Sequence, residues 1–149
     1  MFILVLLPFL ISQDLSLYLP DSYEGYKMYG DTEKHVDPTN NCNQIIKNYQ
    51  KGKSELTITL MDYRNAPQIY NSTVDVWTKS NEVNNESIRA GRLKVRGFNG
   101  WQSIRKEEKA SEVIVAVNGR YIVTFQCMNS PLNEAKKMAF SYNYHWLKK

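Results

Sequence analysis

Residues 113–126 read Val-Ile-Val-Ala-Val-Asn-Gly-Arg-Tyr-Ile-Val-Thr-Phe-Gln, and this stretch decides the fold. Two runs of β-branched and aromatic residues flank Asn118-Gly119, the pair that best tolerates the two positive φ angles of a type I′ turn. The stretch is therefore a hairpin. Both arms are apolar nearly throughout, so they belong in the middle of a sheet, covered on both sides.

Working outward, residues 88–96 and 101–106 flank Gly97-Phe98-Asn99-Gly100 and read as a second hairpin with Phe98-Asn99 as its loop. Further upstream, residues 45–50 and 55–61 flank the turn Lys51-Gly52-Lys53. In the second arm Leu56, Ile58 and Leu60 alternate with Thr57 and Thr59, the period of a half-buried strand. Between these hairpins Asn65 is a candidate helix cap and Pro67 suits the first turn. Ile69, Tyr70, Thr73, Val76 and Trp77 follow on one helical stripe, and residues 80–86 are a polar loop. Downstream, Ser130-Pro131 starts a second helix, with Leu132, Ala135, Met138, Ala139, Tyr142 and Trp146 as its apolar stripe. Lys148 and Lys149 suit its negative end. The expected fold class is α+β, an antiparallel sheet of about six strands with two helices.

The 149 residues are one domain's worth of chain, with 42% hydrophobic, 23% charged and 12% aromatic residues. Seven Gly, five Pro and two Cys exclude collagen-like, low-complexity and disulfide-dense classes. The net charge of +4 permits contact with an anionic surface without demanding it. No dense basic stripe or recognisable module points to nucleic acid.

Residues 2–11, FILVLLPFLI, are too short to span a membrane as a helix and match the apolar core of a signal peptide. The alternative is a buried element of the domain. On the signal-peptide reading cleavage falls between Ile11 and Leu19, and no cysteine follows closely enough for lipid attachment. The expected organisation is a signal peptide over 1–19, an irregular polar lead-in over 20–43 docked by Tyr23, Tyr26 and Tyr29, and one α+β domain over 44–149. Export would place the protein in the periplasm or outside the cell. There Cys42 and Cys127 either form one disulfide or remain two buried thiols. Asn71-Ser-Thr and Asn85-Glu-Ser are glycosylation sequons in a eukaryotic host.

Catalytic patterns are scarce. His35 and His145 sit in no metal-ligand spacing, and there is no Gly-x-Ser-x-Gly or phosphate-cradling loop. Glu107-Glu108 lies in a charged turn with Lys106 and Lys109. No metal or cofactor is expected. One constellation stands out. With the loop at Phe98-Asn99, Arg96 opposes Trp101, Lys94 opposes Ser103 and Arg92 opposes Arg105, all on one sheet face. Arg92, Lys94, Arg96 and Arg105 would supply charge, and Trp101 a stacking plane, for an anionic ligand. The same face is equally a charged, solvated surface that protects the sheet from aggregation.

The order of elements carries a resemblance. A strand ending in Asp-Tyr (ITLMDY, 58–63) precedes a helix and a basic strand with Asn-Gly before an aromatic (FNGWQSI, 98–104). The Asn-Gly-Arg-Tyr hairpin (113–126) follows, and a closing helix ends in Trp-Leu. Over residues 44–147 this pattern resembles small exported bacterial proteins with PsbP/DcrB-like domains. That resemblance implies a non-enzymatic envelope or accessory protein and transfers no functional residue. The functional expectation is an exported binding or accessory module for an anionic envelope component or a protein partner. The rivals are a small secreted enzyme, with a pocket between sheet and C-terminal helix using Tyr side chains and Asp62, and a structural subunit of an envelope complex.

Overall fold

The computed structural model describes residues 14–39 and 41–149. The apolar run at 2–11 lies outside the described residues. Short strands β1 (Ser22–Tyr23), β2 (Tyr26–Met28) and β3 (Glu33–Asp37) lead into the hairpin of β4 (Cys42–Lys51) and β5 (Ser54–Asp62). Helix α1 (Pro67–Lys79) follows, then β6 (Val83–Asn84), β7 (Ile88–Val95), β8 (Phe98–Arg105), β9 (Ala110–Val117), β10 (Tyr121–Met128) and helix α2 (Glu134–Ser141). Single 3-10 turns sit at Leu15–Tyr18 and Tyr144–Trp146.

Every pairing is antiparallel, in the order β1-β2-β4-β5-β10-β9-β8-β7-β6, with β3 also on β4 beside β2. Ten strands and two α-helices among the described residues replace the expected six strands and two helices. The three hairpins were legible from their turns. The four extra strands are two to five residues long, too short for periodicity to register; β2 and β3 form on the free edge of β4, β6 on that of β7, and β1 on β2.

The deciding hairpin is central, as its composition requires. Val113, Val115, Val117, Val123 and Phe125 are fully buried, and Asn118 and Gly119 take φ of 55° and 69°. One face of the sheet is sealed. Ala135, Met138 and Ala139 of α2 pack without exposure on it, joined by Tyr142, Leu147, Leu15 and Leu19. The other face is covered only in part, where Tyr70, Val74 and Trp77 of α1 rest on Ala116, Ile122 and Cys42.

The lead-in is part of the domain, which corrects the expected boundaries. Leu15 and Leu19 are 5% and 1% exposed, and the buried Lys47 ammonium donates to Leu19 O at 2.6 Å and to Asp21 at 2.8 Å. Tyr49 donates to Pro20 O, Tyr142 to Tyr18 O and Tyr23 to Met138 O. These bonds satisfy backbone carbonyls that an irregular segment would otherwise bury unpaired. Removing residues up to Leu19 would open the core.

Both helices differ from their expected extents. Ala66, not Asn65, is the α1 cap, with no side-chain bond, and the packed stripe is Tyr70, Thr73, Val74 and Trp77. Ile69 and Val76 face outward, Val76 at 64% exposure. α2 stops at Ser141 because Tyr142 turns extended (ψ 140°), and Asn143 then caps the 3-10 turn through His145 N–H. The basic residues at 145, 148 and 149 therefore lie beyond the helix rather than at its end.

Candidate functional site

The predicted cationic face forms with a different register. Val95 pairs Phe98, Lys94 pairs Asn99, Arg92 pairs Trp101 and Ile88 pairs Arg105, so the loop is Arg96-Gly97 instead of Phe98-Asn99. The loop residues take φ of 48° and 87°. A type I′ turn needs positive φ at both positions, which Gly97 adopts freely and an aromatic such as Phe98 resists. The slide is by an even number of residues, so the faces are preserved. Phe98 packs against the sealed core, and Gly100 faces Ile114 O where a Cβ would lie at 2.6 Å.

Arg92, Lys94, Trp101 and Arg105 thus still share the open face, but their charges are engaged. Arg92 donates through Nε and Nη2 to Thr78 O (3.1 and 2.9 Å) and through Nη2 to Ser80 O (3.0 Å), holding the last carbonyls of α1 against β7. Its Nη1 lies 3.4 Å from Glu82, whose carboxylate also accepts Arg92 N–H on the free edge of β7. Lys94 donates to Asn99 Oδ1, and Arg105 pairs with Glu108 at 3.0 Å. Trp101 is half-buried between Arg92 and Ile114. The hollow of about 190 Å³ between Trp77 and the hairpin is smaller than a typical ligand pocket.

Arg96 leaves that group. Its turn position swings it to the sealed side of the sheet, where Nε donates to Phe140 O at 2.6 Å. There it meets the C-terminal segment across a cleft of about 610 Å³, a size suited to small-molecule binding. Arg96 and Lys148 contribute charge to the cleft beside the His145 ring, Phe98, Tyr144 and Leu147 are among its apolar lining, and no Asp or Glu lines it. None of the three basic side chains forms an ion pair among the described residues. The walls are fixed by aromatic packing. Phe98 stacks at a tilt on Tyr144 (5.4 Å), and Tyr142 meets Tyr144 and Trp146 edge-on at 5.0 and 5.9 Å. Burial pushes the Tyr142 and Tyr144 hydroxyls far above their usual range, so they stay protonated and donate to Tyr18 O and Ala139 O. They are not acid–base groups at neutral pH.

Sequence reasoning found Arg96 but not its site, because His145 and Lys148 reach it only where α2 ends early. The one signal was the arginine itself, since the first position of a type I′ turn favours Asn, Asp or Gly.

The other predicted groups are accounted for. Asp62 is buried and takes a two-pronged contact from Arg120, with both bonds at 2.7 Å, and also accepts Arg64 N–H at 2.9 Å. Its lone pairs are occupied by structure rather than presented to a substrate. The seam between sheet and α2, the expected enzyme pocket, is filled by Ala135, Met138 and Ala139. Cys42 and Cys127 are both free and buried on opposite faces of the sheet, so of the two alternatives the structure has two separate thiols and not the disulfide. Burial raises them to about 11 and about 12, which leaves both protonated and unreactive at neutral pH. Among the described residues no cluster of three or more His, Cys, Asp or Glu is placed to hold a metal, and no helix is long and apolar enough to cross a membrane.

No family model matches the chain, and neither the curated proteins nor the solved structures contain a match to it.

Proposed function

We propose that this protein is an exported, non-enzymatic binding module that takes an anionic ligand in the C-terminal cleft. The observation that carries the reading is the set of three basic side chains, Arg96, His145 and Lys148, around one concavity without a single carboxylate. A concave surface of one sign concentrates counter-charge far more than a flat face with mixed partners. Arg92 supports the fold instead, because its three nitrogens already meet carbonyls and a carboxylate, while Arg96 gives Phe140 O only its Nε. Export rests on the apolar run at 2–11. The described domain takes Leu15 and Leu19 into its core, so a leader fits only if it ends before them.

The test is calorimetric titration of the purified protein with inorganic phosphate in a zwitterionic buffer. Phosphate binding that falls at least about tenfold in the Arg96→Asn, Lys148→Gln double variant, and persists in Arg92→Ser, supports the reading. No binding of any small anion, or equal loss in Arg92→Ser, contradicts it.

A further inference from the structure

The cleft's donors define more than the sign of its ligand. Asn118 Nδ2 already donates to Leu147 O at 2.7 Å and Ser141 Oγ to Lys137 O at 3.0 Å, while Asn143 Oδ1 accepts His145 N–H. The hydroxyls of Tyr142 and Tyr144 are likewise occupied. What is left to meet a ligand's polar end is chiefly cationic. It comprises the terminal nitrogens of Arg96, the ammonium of Lys148 and the ring of His145, with the Asn143 amide beside them. Beside these the cleft is lined by the half-buried ring of Phe98, which offers no hydrogen bond. A ligand that is polar throughout would leave its remaining groups facing apolar walls, desolvated and unpaired. A bare inorganic ion would fill only a small part of about 610 Å³.

Resting on the anion-binding reading above, we infer that the ligand is an amphiphilic organic anion, a carboxylate head on an aromatic or short alkyl body. The carboxylate takes the fork of Arg96, with Lys148 as a second charge. The body lies along Phe98, where its burial adds affinity in proportion to apolar area.

The experiment is equilibrium titration of the full protein with acetate, hexanoate, phenylacetate and inorganic phosphate under one ionic strength. Phenylacetate and hexanoate should bind on the order of tenfold or more tighter than acetate and phosphate. Arg96→Asn should weaken all four, because Asn keeps the left-handed turn while removing the charge. Phe98→Ser should erase the preference for the larger bodies while leaving phosphate unchanged. Should Phe98→Ser fold poorly, Phe98→Thr, whose β-branched side chain suits a strand, is the second variant with the same expectation. Equal affinity for all four anions overturns the amphiphile and leaves the anion site standing. Binding of none overturns both.

Discussion

The β7–β8 hairpin face and the C-terminal cleft hold similar numbers of basic side chains and differ in what those side chains touch. On the hairpin face Arg92 holds the end of α1, Lys94 meets Asn99 and Arg105 meets Glu108. In the cleft Arg96, His145 and Lys148 gather without a carboxylate. Charge density along the chain favours the first region, where Arg92, Lys94 and Arg105 fall within fourteen residues. Unmet charge in space favours the second. Arg92 gives Nε, Nη1 and Nη2 to carbonyls and a carboxylate, so drawing it to a ligand would break bonds that position the fold, whereas Arg96 gives Phe140 O only its Nε and keeps its terminal nitrogens for a ligand.

Breaking cations that have partners should cost stability in proportion to burial. The largest effect falls on Arg120→Met, which leaves buried Asp62 without its two-pronged partner and should lose about 3 kcal/mol or more in denaturant unfolding. Arg92→Ser releases α1 from β7 but at a half-exposed site, so about 1 kcal/mol is expected by the same measurement, with anion binding intact. Arg96→Asn should change stability least. It gives up the bond to Phe140 O but places a residue that favours positive φ at a position now held at 48°, leaving unfolding within about 0.5 kcal/mol of wild type. Reversal of the last two, with Arg96 more important to stability than Arg92, would erase the distinction between the regions.

The thiols sharpen the same contrast between buried and available chemistry. Cys42 and Cys127 should resist alkylation at neutral pH in the folded protein, and both should label in denaturant without reductant. A mass showing no label after unreduced denaturation would require a bridge that the opposite faces of the sheet forbid.

The central strands were legible because composition and turn chemistry agreed: Asn118-Gly119, the alternating Leu56, Ile58 and Leu60, and the β-branched arms at 113–126 all specify one arrangement. The second hairpin was legible as a hairpin but not in register. Gly97 and Gly100 compete for the turn, and what places the loop at Arg96-Gly97 is the contact of Gly100 with Ile114 O on a neighbouring strand. The lead-in was misread for a similar reason. Nothing local to Ser22, Tyr26 or Glu33 demands a strand, whereas the free edge of β4, with Lys47 and Tyr49 beside it, supplies the bonds. The cleft was hidden because its members come from a turn and from the segment after α2, and the early end of that helix depends on Tyr142 inserting into the core.

The most direct measurement maps the ligand. Titrating isotope-labelled protein with phenylacetate and following backbone amide resonances should shift Gly97, Phe98, Asn118 and residues 141–148, while Arg92, Lys94, Trp101 and Arg105 stay in place. Shifts concentrated on Arg92, Lys94, Trp101 and Arg105, with the cleft silent, would return the site to the hairpin face and contradict the account.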